Sequence, residues 1–229
     1  MTNITRYRMT AAGPGTPILL VATAVQCAAW FHLASLPATP PPPEVPLALA
    51  AAAVVEPGNG GAPEALSGAT VQVEDARLQI SFEADRDAWV SVLWFEGPDR
   101  VVALYPTPAR RETGWVAGER TYVVPSPSSY LRLTPTTSLE GDWLAVVAAA
   151  RPDPEIGAVL ADPDPASVAA LRDELMEEAR ARTSAATSVE RFLPTSDGRA
   201  AAVTWEELRG VGRLVYGRAV RVGARPPLE

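Results

Sequence analysis

The chain has 229 residues, a formal net charge of −7 and 47% hydrophobic residues, enough for one ordinary domain with appendages. All 20 of its basic residues are arginine, scattered apart from the adjacent Arg110 and Arg111, which argues against a nucleic-acid interface because phosphate neutralisation needs clustered positive charge. Cys27 and His32 are the sole residues of their types and both fall in an N-terminal apolar stretch, which removes disulfides, Cys/His zinc sites and Cys–His or Ser–His catalysis from the rest of the chain; no cofactor is implied.

Residues 18–36, ILLVATAVQCAAWFHLASL, carry no acidic residue and no arginine. At about 1.5 Å rise per residue this stretch reaches roughly 28 Å, close to the hydrocarbon thickness of a bilayer. Arg6 and Arg8 precede it, and the first charges that follow are all acidic: Glu44, Glu56, Glu64, Glu74 and Asp75. The positive-inside rule then assigns residues 1–16 to a cytoplasmic tail, 17–36 to a single transmembrane helix and the bulk of the chain to the other side of the membrane. A cleaved signal peptide is the alternative, although Leu36 at −3 from Ala38 fits a small-x-small site badly. A lipoprotein would need a small residue where Gln26 precedes Cys27. Gln26 and the Ala24-x-x-x-Ala28 face offer a route to self-association of the helix.

Residues 37–68 read as a linker. PATPPPPEVP (37–46) favours an extended polyproline spacer, and EPGNGGAPEALSG (56–68) reads as coil. Between them LALAAAAVV (47–55) is apolar but too short to span a membrane. It reads either as more linker or as a segment that docks on the domain.

The domain is expected over 69–229, with its β core in 69–151. In ARLQISFEA, Leu78, Ile80 and Phe82 alternate with polar residues, the mark of a strand with one dry face. AWVSVLWF (88–95) is apolar on both faces apart from Ser91, as expected of a covered central strand, and EGPDR turns it back into VVALYP (101–106). Further strands are predicted at 120–125, 129–133 and 142–150. Short strands joined by Pro/Gly/Ser turns point to a mainly β fold, an antiparallel β-sandwich. A C-terminal helix follows, with Asp164 as N-cap, Pro165 in its first turn, and a stripe of Val168, Leu171, Leu175 and Ala179 with Met176 beside it. Thr204-x-x-Glu207 before Leu208 has the form of a capping box and predicts a second, short helix. RLVYGRAVRV (213–222) alternates again and predicts a late strand added to the existing sheet.

The pieces LQISFEADRDAWVSVLWF, DRVVALYP, VVPSPS and LEGDWLAVVAAARP, with Tyr105–Pro106 closing one strand and Gly141-Asp142-Trp143-Leu144 opening another, resemble the bacterial domain-of-unknown-function family 4384 over residues 77–150. The resemblance implies an accessory or sensing domain attached to bacterial signalling modules such as caspase-like peptidases and kinases, and it carries no catalytic residues over. With the membrane assignment it places the chain in the bacterial inner membrane, its domain periplasmic or extracellular.

The expected function is a non-catalytic, membrane-anchored binding or accessory domain with a protein or envelope partner. Trp94, Tyr105 and Trp115, flanked by Arg110 and Arg111, are the candidate contact residues, because Trp, Tyr and Arg dominate interface energetics. The plain alternative for Trp94 and Tyr105 is a role in the core. A competing class is a glycan-active enzyme working through carboxylates, Glu140 with Asp142 or Glu96 with Asp99. A third is a signalling subunit partnering a caspase-like peptidase or kinase. No metal site is expected.

Overall fold

The computed structural model describes residues 45–56, 64–66, 77–107, 113–126, 131–132, 141–183, 185–194 and 200–220. The expected cytoplasmic tail and transmembrane helix lie outside the described residues, and among the described residues no helix is long and apolar enough to cross a membrane.

The fold is mainly β, with two antiparallel sheets. The first is built on β1 (Leu47–Glu56), β3 (Arg77–Ala84), β7 (Tyr122–Val124), β10 (Thr187–Pro194) and β11 (Ala200–Gly210) in the order β10-β11-β1-β3-β7. The short strands β2 (Glu64–Ala65) and β8 (Leu131–Arg132) pair with β1 and β3. The second sheet runs β12-β9-β4-β5, from β4 (Ala88–Phe95), β5 (Val101–Tyr105), β9 (Asp142–Ala149) and β12 (Leu214–Val220), and β6 (Trp115–Val116) pairs with β4. Two helices, α1 (Pro154–Ala161) and α2 (Pro165–Thr183), lie between β9 and β10 in the chain.

One core joins the inner faces of the sheets: Leu49, Ala51, Leu78, Ile80 and Phe82 from the first meet Val90, Val92, Trp94, Leu144 and Val146 from the second. The outer face of the second sheet is dry as well. Leu93, Phe95, Trp143 and Val147 are sealed by Ile156 and Val159 of α1 and by Val168, Leu171, Leu175 and Ala179 of α2. The expected helical stripe is therefore the one that is buried, and the two-sided apolarity of 88–95 is explained by a sheet on one side and helices on the other. Each fully buried Leu, Ile or Phe contributes about 1.5–3 kcal/mol of transfer free energy. Gly217 is required by this packing, since a Cβ there would run into the Trp143 ring and come within 2.9 Å of Ala179 Cβ.

Local chemistry sets the element ends. Asp164 caps α2 as expected, its Oδ1 accepting from Ala166 N–H (3.0 Å) and Ser167 N–H (3.2 Å); the Ser167 side chain first, and then these backbone bonds, hold its carboxyl below its ordinary pKa. The unforeseen α1 uses the same device: Asp153 accepts from Glu155 N–H (2.9 Å) and Ile156 N–H (3.2 Å), with Pro154 at the first helical position. In the β4–β5 turn Gly97 has φ 71°, a left-handed conformation that favours glycine.

Two expectations are corrected. Residues 47–55 are not linker: β1 lies between β11 and β3, its start bonded to the β3–β4 connection through Ala48 N–H to Asp85 Oδ1 (2.9 Å), and the compact unit begins at Glu44 rather than at 69. The capping box at Thr204–Glu207 opens no helix, because those residues belong to β11, which is laddered to β10 on one side and to β1 on the other. A capping box stabilises by about 1 kcal/mol, and two ladders with a buried Trp205 outweigh it. The late strand does join the existing sheet, β12 pairing with β9 from Leu214↔Ala148 to Val220↔Asp142. Strand β5 lies at the edge of the second sheet.

Candidate functional site: an aromatic-floored cleft

The candidate contact residues that lie among the described residues, Trp94, Tyr105 and Trp115, do not form one surface. Trp94 faces the inter-sheet core and is 9% exposed. Tyr105 packs at the rim of the same core, its ring 5.7 Å from Phe82 and 6.5 Å from Tyr122, and its hydroxyl donates to Trp115 O (3.4 Å). Both are structural, because a side chain on the inner face of either sheet has the opposite sheet above it. Arg110 and Arg111 lie outside the described residues. Trp115 is the exception, 48% exposed on β6.

Trp115 is held rather than loose. Its residue pairs with Trp89 across the β4–β6 ladder, its N–H donates to Thr113 Oγ1 (3.4 Å), and its strand neighbour Val116 is fully buried in the core. Directly opposed residues in an antiparallel pair share a face, so Trp89 and Trp115 both belong to the outer face of the second sheet. That is the face the helices cover further along, at Leu93 and Phe95.

Where the helical cover stops, a cleft of about 150 Å³ opens. Its floor is Trp89 and Ser91 of β4 with Val147 and Ala149 of β9, which are their ladder partners. One wall is α1, through Ile156, Gly157 and Leu160, and the other is Pro106, Thr113 and Gly114. Small residues line it, Ser91, Gly114, Ala149 and Gly157, and a Cβ on Gly157 would meet nothing within 4 Å. Trp89 is the residue that the sequence reading passed over. Its place opposite Trp115 depends on the β4–β6 register, which no local pattern announces.

The charges at the rim are unequal. Asp153 is fully used, one oxygen capping α1 and the other accepting from Arg213 Nη1 (3.0 Å). Arg213 also pairs with Glu155 (3.6 Å), Glu178 (2.6 Å) and Glu174, and its hydrogen bonds to Glu178 first, then to Asp153 and Glu174, hold its guanidinium pKa above the ordinary value. Glu155 is raised, by burial first and then by the neighbouring Glu174. Arg151 is exposed and makes no ion pair among the described residues, and it places a positive charge at the cleft mouth.

Among the described residues, the carboxylates considered for hydrolysis, Glu96, Asp99 and Asp142, are not gathered into a cleft. Asp142 is buried and accepts from Gly97 N–H (3.2 Å), tying the β4–β5 turn to the start of β9. Glu96 pairs with Arg100 (3.1 Å) at the surface, Asp99 is exposed in the same turn, and Glu140 lies outside the described residues. Among the described residues no group of three or more His, Cys, Asp or Glu side chains is arranged to hold a metal ion.

No family model, no curated protein and no solved structure matches the chain.

Proposed function

We propose that this chain is a non-catalytic, membrane-anchored binding module of a bacterial inner membrane, its β domain periplasmic or extracellular and engaged with a protein or envelope partner through the surface around Trp115. The observation that carries the reading is the half-exposed indole of Trp115 on a strand pinned to the core. An exposed tryptophan leaves a large apolar face in water, whereas at an interface it supplies contact area with little side-chain entropy to lose. The anchor rests on the uncharged stretch 18–36 and the arginines before it. The resemblance of residues 77–150 to family 4384 adds an accessory role beside a bacterial signalling protein.

Two measurements test this. A reporter fused at the C-terminus, active only outside the cytoplasm, is expected to be active and to fractionate with membranes; recovery of the chain from soluble cytosol overturns the anchor. For binding, Trp115→Ala is expected to lower partner capture about 30-fold, the effect of losing an interface residue worth about 2 kcal/mol, without lowering the melting temperature. Undiminished capture by that variant overturns the contact surface.

A further inference from the structure

We infer that the cleft beside α1 is an anchor pocket for one bulky apolar side chain of an extended partner segment, with a carboxylate of that segment held by Arg151; the inference rests on the binding reading above and names the chemistry of the partner. Size decides the occupant. Sites for metabolites and cofactors run to about 300–1,000 Å³. A cleft of about 150 Å³ takes a benzene-sized group, which is a single phenylalanine or leucine side chain. Its floor is the Trp89 ring beside aliphatic Val147 and Ala149, and its α1 wall adds Leu160, so the matching surface is apolar.

Charge decides what flanks the anchor. Of the two ionic groups at the mouth, Asp153 is neutralised by Arg213 and by the α1 cap, and Arg151 has no partner among the described residues. A carboxylate next to the anchor residue completes that pairing. The chain as a whole carries −7, so long-range attraction favours basic segments. A preference for acidic flanks therefore has to come from the site itself.

The test uses the full-length chain in detergent micelles and acetylated, amidated pentapeptides titrated by calorimetry. One peptide has a central phenylalanine flanked by glutamates, one has the same centre flanked by arginines, and one has a central glycine flanked by glutamates. The glutamate-flanked phenylalanine peptide is expected to bind at least tenfold more tightly than the arginine-flanked one, and the glycine peptide is expected not to bind. Gly157→Leu fills the cleft from a helical position with open space around it and is expected to abolish binding while the protein keeps its melting temperature. Arg151→Glu, an exposed substitution, is expected to reverse the flank preference with phenylalanine still required.

Equal binding of the glycine peptide overturns the pocket, as does an unchanged affinity in Gly157→Leu. Competition by 3-phenylpropionate at the affinity of the peptide overturns the peptide occupant and makes the cleft a small-molecule site. Partner capture lost in Trp115→Ala but kept in Gly157→Leu also overturns the pocket, and leaves the Trp115 surface standing. Peptide binding that survives Trp115→Ala, together with undiminished partner capture, supports the pocket while removing the broader surface.

Discussion

Tyr216 shows how much one buried atom can matter here. Its side chain lies in the inter-sheet core, and its hydroxyl accepts from Ala53 N–H (3.1 Å), where β1 passes from its pairing with β11 to its pairing with β2. Burial pushes the phenol up to about 12. An acid whose folded pKa is raised adds stability that is complete below its unfolded pKa and is lost as pH rises through the folded one. For Tyr216 that window runs from about 10 to 12, and the loss is about 2–3 kcal/mol. The chain has no lysine to titrate in the same range. Urea unfolding from pH 8 to 12 should therefore show a decline in the wild type that is missing in Tyr216→Phe. At pH 8 the variant should be weaker by about 1–3 kcal/mol, because Ala53 N–H is left buried without an acceptor. Residue type alone could not have separated the tryptophans: Trp94 and Trp115 are equally suited to core and to contact, and the sheet register divides them.

At the scale of elements, Arg213 ties three pieces together. It sits just before β12 and pairs with Asp153 and Glu155 at the start of α1 and with Glu174 and Glu178 of α2. Arg213→Gln leaves four carboxylates facing one another. The expected cost is about 2–4 kcal/mol at pH 7. Urea unfolding of the variant at that pH would show the loss, and an unchanged midpoint would refute the electrostatic account. Glu155→Gln should act the other way. Because the Glu155 pKa is raised, folding favours its protonated form and stability falls as pH rises through that pKa. The glutamine variant should melt above the wild type at pH 7 and level with it in acid. In the helix itself, Leu175→Ala removes a side chain with no exposed surface from the seam between α2 and the second sheet. Denaturant unfolding should give a loss of about 2–5 kcal/mol. That seam was legible in advance, since the spacing of Val168, Leu171, Leu175 and Ala179 marks one face of a helix whichever sheet receives it.

The molecule as a whole depends on β1. Leu47, Leu49, Ala51, Ala53 and Val55 face the inter-sheet core, and Ala50, Ala52 and Val54 pack with Val203 and Trp205 on the opposite face. A chain trimmed to begin at residue 69, where the domain was expected to start, loses the strand between β11 and β3. Circular dichroism and limited proteolysis should find it unfolded. A chain beginning at residue 44 should fold, and a folded 69–229 fragment would show that β1 is dispensable.

Several elements with one wet face were legible in the sequence alone. The alternation in β3, the stripe of α2, the Asp-Pro cap before it and the late strand all follow from side chains that must be dry on one side and solvated on the other. The same logic identified β4 as covered on both sides, although not by what. Only the tertiary structure decided the rest. A strand buried on both faces has no period to read, and alanine, a helix former, gives no local signal for β structure, so β1 passed for linker. The capping box of β11 lost to two ladders, and Trp89 met Trp115 only through the pairing of strands about 26 positions apart. Local signals of about 1 kcal/mol describe the chain near itself. The position of the cleft depends on which distant strands are neighbours, and that is settled by burial summed over the whole domain.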